Sequence, residues 1–160
     1  MQHVYIIAVG KVKEKYLTAG IKEYLKRLNK YARIHILEGP DEKVPDKLNP
    51  TLVAQILATE GQGIKRLLPP DCYKIALDRE GTMLSSEELS NKLSELALGG
   101  QNKVAFIIGG TLGLDQEILK QSDLRLSFSR LTFPHQLIRL FLLEQVYRAY
   151  KIQRGETYHR

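Results

Sequence analysis

The segment RGETYHR, residues 154 to 160, ends the sequence with two arginines, a glutamate, a tyrosine and a histidine. Terminal residues are ordinarily loose trim, so side chains that donate, accept and carry protons stand out there. A second concentration is FIIGGTLGL, residues 106 to 114, in which Gly109 and Gly110 close an apolar run and Gly113 precedes a helical pattern. At the strand ends of an open α/β sheet, glycine lets a ligand approach the backbone closely. The plain alternative is a turn that needs positive φ. The spacing G-G-x-x-G is not a dinucleotide fingerprint, and no P-loop is present. Histidines fall at 3, 35, 135 and 159 with no spacing that gathers ligands on one helix face, so no metal site is expected. His3 and His35 sit in strand patterns, His135 beside Pro134 reads as a first-turn residue, and Asp115 as a helix start.

The elements that must position these residues alternate. Short apolar or alternating runs at 3–9, 33–38, 72–77, 103–109 and 124–129 read as strands. Helical patterns separate them: about 13 to 30; a second from Asn49-Pro50, an N-cap followed by proline; a third where Ser85 and Glu88 have capping-box spacing. A last helix starts near Pro134. Such alternation argues for an α/β layer with a mainly parallel sheet. The stretch GPDEKVPDKLNP, residues 39 to 50, reads as an exposed, mobile loop and does not divide the chain, so a single domain over 1–160 is expected.

In PHQLIRLFLLEQVYRAYK, residues 134 to 151, apolar side chains cover nearly the whole helix circumference. A helix apolar all round needs cover on both sides, and a sheet supplies one. The expectation is a homodimer built on this C-terminal helix.

Lysine and arginine number 24 against 18 acidic residues, a net charge of +6, which makes a polyanionic partner plausible without establishing one. The excess gathers near the N-terminus, where Lys15, Lys22, Lys26 and Lys30 share one helical stripe. That stripe is either a solvated face or an RNA-binding surface. One cysteine, Cys72, excludes an internal disulfide, the first apolar run stops at Val9, and no stretch is long enough to span a bilayer. A cytoplasmic protein with no membrane association is expected.

Taken together, IIAVGKVKEKY, EGQ, IIGGTLGL, LSFSRLTFPHQLIR, EQVYRAYKI and RGETYHR resemble the ribosomal RNA large subunit methyltransferase H family, and the resemblance covers essentially all 160 residues. That family belongs to the SPOUT class of methyltransferases, whose α/β fold has a mainly parallel sheet flanked by helices and a C-terminal trefoil knot. Topology rules discard threaded chains, so the strand pattern alone leads to an ordinary doubly wound sheet. The implied activity is S-adenosyl-L-methionine-dependent methylation at N3 of a pseudouridine in the helix 69 loop of 23S rRNA, on the assembled ribosome. Another RNA substrate, or a ribosome-binding module without catalysis, are the alternatives.

The resemblance also assigns residues. Leu77, Gly109, Phe128, Ser129, Arg130, Leu131, Thr132 and Phe133 are expected to line the S-adenosyl-L-methionine pocket, a side chain at 109 being expected to fill the ligand's space. Arg148, Tyr158 and His159 are expected to be catalytic: His159 as acceptor of the N3 proton, Arg148 offsetting charge on neighbouring carbonyl oxygens, Tyr158 bonding to or stacking on the base. The tail is long enough to reach a neighbouring subunit's pocket. Thr157 departs from the proline or alanine of the family pattern and leaves Tyr158 and His159 in place.

Overall fold

The computed structural model describes residues 1–158. The strands are β1 (His3–Val9), β2 (Arg33–Gly39), β3 (Tyr73–Met83), β4 (Lys103–Ile108) and β5 (Leu124–Ser127). The helices are α1 (Lys15–Leu28), α2 (Pro50–Leu67), α3 (Ser86–Leu98), α4 (Gln116–Gln121) and α5 (His135–Gln153). All strand pairs are parallel, in the order β2-β1-β4-β3-β5.

Period-two alternation along each strand explains the layers. Val4, Ile6, Ala8, Val104, Phe106 and Ile108 join one core, with apolar residues of α1, α3 and α5. Ile7, Val9, Ala105 and Ile107 join the other, with α2 and α4. The local signals read in the sequence are realised. Asn49 Oδ1 accepts from Leu52 N at 2.8 Å, with Pro50 at the first helical position, and Ser85 and Glu88 form the reciprocal capping box.

Several boundaries differ from expectation for local reasons. Glu14 is extended and Tyr31 N donates to Leu28 O, so α1 is shorter than 13 to 30 and Lys30 stands in the turn beyond the helical stripe. Strand β3 runs past residue 77 because pairing with β5 resumes after an interruption: Leu77 and Thr82 both face Leu126, and residues 78–81 bulge out between them. The sequence DREG hides this continuation behind a turn-like composition.

Helix α5 is covered within the one chain more fully than its sequence pattern suggests. The helix is not left bare by the sheet: α1 and α3 pack along its flanks, and Leu142, Leu143, Val146 and Ala149 are fully buried within the one chain. An all-round apolar pattern therefore does not by itself demand a second subunit. The exposed apolar side chains near this helix are Phe141 and, on the preceding loop, Leu131.

Arg139 interrupts that apolar pattern yet is buried. Its guanidinium pairs with Glu38 at the end of β2 and donates to Gly10 O at 3.1 Å, pinning the start of α5 to the carboxyl ends of β1 and β2. Replacing it with methionine should cost about 2 kcal/mol of unfolding free energy in urea melts. That is less than the ~3–5 kcal/mol of a fully buried pair, because the Glu38 side chain is 32% exposed and can rehydrate.

Candidate active site

At the carboxyl ends of β3 and β4 the chain opens a cleft of about 260 Å³. Three segments build it. The bulge of β3 supplies Leu77, Asp78 and Arg79; the loop after β4 supplies residues 109 to 113; the loop after β5 supplies Phe128, Ser129, Leu131, Thr132 and Phe133. Seven of the eight expected cofactor residues therefore lie together, and Arg130, which is exposed, is absent from the lining. The rim is tied across by Arg79, whose Nη1 donates to Thr132 Oγ1 at 2.7 Å, and by Ser127 Oγ, which donates to Arg79 O at 3.0 Å.

Gly109 is constrained by its own loop. A Cβ there would lie 2.3 Å from the Gly113 carbonyl oxygen, so it meets the loop's own backbone. Gly113 has φ +90°, with open space where its Cβ would project. The glycines thus serve loop closure, which turns backbone edges toward the cleft.

Behind this loop stands a support that sequence reading singled out only as part of a motif. Glu60 of α2 is buried; its Oε2 accepts from Glu42 N at 3.0 Å and its Oε1 has no hydrogen-bond partner. Burial pushes its carboxyl up, Asp41 and Glu42 adding to the shift while the Glu42 amide opposes it. A Cβ on Gly110 would come within 3.2 Å of Oε1, and one on Gly61 within 3.2 Å of Asp115, so α2 abuts both ends of the loop.

His135, read from sequence as a first-turn residue, proves to line the cleft. Burial and then the Arg139 guanidinium hold its pKa below the usual 6.5, with Asp41 opposing. The ring is neutral at pH 7. Sequence carried no signal for this beyond the adjacent proline.

Arg148 and Tyr158 form a separate cluster. The Arg148 guanidinium pairs with Glu144 one turn earlier and lies 4.7 Å from the Tyr158 ring centre. Tyr158 donates to the same Glu144 oxygen at 3.1 Å, and its ring meets Tyr147 edge-on at 4.9 Å. Burial opposes the Arg148 charge, but the bond to Glu144 and its negative charge outweigh it and the pKa rises. Burial also raises the Tyr158 hydroxyl, reinforced by its bond to Tyr24 and the Glu144 charge, so it remains protonated. The tail through residue 158 is folded back on its own chain: Glu156 accepts from Tyr31 at 2.7 Å and from Lys151 at 2.8 Å. His159 lies outside the described residues.

Neither Arg148 nor Tyr158 borders the cleft of the same chain. Ile138 is the last residue of α5 to line it, and Arg148 follows ten residues later, about 15 Å along the axis. Between them runs an apolar groove of about 420 Å³ that shares Leu126, Phe128 and Phe133 with the cleft and reaches Phe141 and Glu144.

Among the described residues no group of three or more potential ligands gathers for a metal, and no helix is long and apolar enough to cross a membrane. The predicted SPOUT methyltransferase family model matches residues 2–159. A Moorella thermoacetica protein named ribosomal RNA large subunit methyltransferase H is 70% identical over 160 residues, covering 100% of both chains. The like-named protein of Carboxydothermus hydrogenoformans is 52% identical over 157 residues, covering 98% of this chain and 99% of that one. Among solved structures, a probable methylase family protein from Haemophilus influenzae shares the fold at 12% identity and a TM-score of 0.52, covering 98% of this chain and 70% of that one. By the family match and the full-length identities, this chain belongs to the SPOUT methyltransferases, in the ribosomal RNA large subunit methyltransferase H family.

Proposed function

We propose that the protein methylates N3 of a pseudouridine in the helix 69 loop of 23S rRNA on the assembled ribosome, as a cytoplasmic homodimer using S-adenosyl-L-methionine. The observation that carries the reading is the cleft: seven residues assigned by family resemblance converge on one backbone-lined cavity. The residues present suit that cofactor. Leu77, Leu126, Phe128 and Ile138 offer apolar walls for a flat heteroaromatic ring, loop backbone offers edge contacts, and a neutral His135 adds no charge against a cationic sulfur.

When bound, the cofactor supplies an electrophilic methyl group on its sulfonium. The protein's part is alignment, charge and the N3 proton. Arg148, held by Glu144 and stacked against Tyr158, offers a fixed positive charge to the carbonyl oxygens flanking N3. Tyr158 keeps its proton near neutrality and gives it to Glu144, which leaves the hydroxyl oxygen and the ring to meet the base. Proton acceptance is assigned to His159, imidazole being the side chain that exchanges protons most readily around neutrality. The separation along α5 favours a composite site, in which one subunit's cleft meets the Arg148–Tyr158 cluster of the other. The apolar groove beside Phe141 is the surface a second copy would cover.

The test incubates labelled S-adenosyl-L-methionine with ribosomes from a strain lacking the protein and maps the modified nucleotide. Label at N3 of a helix 69 pseudouridine is expected, and label in transfer RNA instead overturns the substrate assignment.

His135 gives a pH signature. Its folded pKa lies below 6.5, so cofactor affinity and the stability tied to its neutral form are fully present above pH 6.5 and are lost as pH falls through the folded value. Calorimetry should show a level dissociation constant from pH 8 down to pH 7, and weakening of up to about tenfold per pH unit as pH falls through the folded His135 value. His135→Gln should flatten the acid limb.

A further inference from the structure

We infer that the seam between α1 and α5, from Lys30 and Arg27 across Tyr147 to Arg148 and Tyr158, is the track on which a single RNA strand lies while its target base enters the site. The inference rests on the reading that the substrate is RNA; of the four lysines of the α1 stripe it keeps Lys26 and Lys30, which line the seam, and drops Lys15 and Lys22. Lys15 and Lys22 stand on the exposed face opposite the buried Leu17, Ile21 and Leu28. Arg27 is different. It leans toward α5, its guanidinium 5.1 Å from the Tyr24 ring centre and 5.8 Å from that of Tyr147.

There the surface forms a concavity of about 400 Å³, lined by Lys26, Arg27, Asn29 and Lys30 with Tyr147 among them and Glu23 the one acid. Glu23 does not neutralise it. Its contact with Arg27 is 3.9 Å, with both side chains more than 40% exposed, an ion pair that a phosphate can displace. The cup is continuous with the catalytic cluster, because Tyr147 touches Tyr158 and the Tyr24 and Tyr158 hydroxyls lie 3.5 Å apart. Cations interleaved with aromatic rings suit unpaired nucleotides: lysine and arginine take phosphates, and guanidinium planes and ring edges take exposed bases. The loop of a hairpin presents such nucleotides on either side of a target base.

The experiment measures methylation of ribosomes lacking the modification, across a salt series, with the intact dimer. Arg27→Gln combined with Lys30→Gln should raise KM for ribosomes by about 30-fold and flatten the slope of log(kcat/KM) against log salt by about 1.4, two single-strand phosphate contacts' worth. The dissociation constant for S-adenosyl-L-methionine should not change, and the melting temperature should fall by no more than about 4 °C, for the lost Arg27 contacts with Tyr24 and Tyr147. Lys15→Gln combined with Lys22→Gln should shift KM by less than about threefold. Lys30→Glu alone, at an exposed turn position, gives the same direction if the double variant proves unstable. Ultraviolet cross-linking should join the peptide holding the half-buried Tyr24 to RNA.

Wild-type kinetics in the seam variants, or an equal loss in the outer pair, overturns the track while leaving the substrate assignment standing. Cross-links to ribosomal protein in place of RNA also overturn it. A wild-type chain that transfers no methyl to ribosomal RNA removes the substrate reading and this inference with it.

Discussion

Gly109→Ala is expected to weaken S-adenosyl-L-methionine binding at least about 100-fold, or roughly 3 kcal/mol, while Gly113→Ala costs about 30-fold at most. The two glycines face each other in one loop, so the contrast isolates geometry from composition. At 109 the new methyl group would sit 2.3 Å from the Gly113 carbonyl oxygen and 2.5 Å from its carbon, both backbone atoms that no rotamer change can move aside. The loop must open, and the backbone edges it turns toward the cleft go with it. At 113 the methyl group meets nothing within 4 Å and the penalty is only that of a left-handed backbone, φ +90°, about 1–2 kcal/mol. Calorimetric titration of both variants, each first shown to melt cooperatively, decides the matter. Wild-type affinity in Gly109→Ala would mean that this loop is not the floor of the cofactor site.

A mixture of two inactive parents is expected to regain about a quarter of wild-type activity. One parent carries Gly109→Ala, which removes the cleft; the other carries Arg148→Ala, which removes the cation. Random reassociation of equal amounts makes about half of the dimers mixed. In a composite site each mixed dimer holds one cleft and one cluster that are both intact and face each other. If each subunit uses its own Arg148, every site in the mixture lacks one part. The geometry favours recovery: Arg148 lies about 15 Å along α5 from the last cleft residue, and the tail through Tyr158 is docked against Tyr147 of its own chain. What crosses between subunits is then the whole end of α5 with its folded-back tail, and no extended arm is needed. No activity above the parents, after subunit exchange has been demonstrated by mass, would assign each cluster to its own cleft.

The seam variants and the His135 profile bear on different atoms, and their results are independent of both experiments above. Arg139 fixes the start of α5 beside His135 and lowers that ring's pKa. Loss of Arg139 should therefore shift the acid limb of cofactor binding upward as well as lowering stability.

Signals confined to a few neighbouring residues were legible in the sequence. The Asn49-Pro50 start, the Ser85–Glu88 capping box and the alternation of β1 and β4 specify local hydrogen bonds and faces, which depend on adjacent residues alone. Motif resemblance added the cofactor residues, and these do converge on one cleft, except Arg130. Spacing could not reveal why Gly109 is glycine, because the atom it must avoid belongs to a carbonyl four residues on in a closed loop. Nor could it show His135 in the cleft or Glu60 behind the loop, since those neighbours come from distant segments.

By itself the sequence determined the alternating elements, the basic excess and the family, because periodicity, capping and motif identity are properties of the chain in one dimension. The tertiary structure alone decided how α5 is used. Read as a pattern, its apolar circumference asked for a second subunit; in three dimensions α1 and α3 close over it, because three helices share one face of a five-stranded sheet. The same packing buries Arg139, sets Arg148 apart from the cleft of its own chain and turns Arg27 toward Tyr147. Each of these is a distance between segments far apart in sequence, set by how the layers pack.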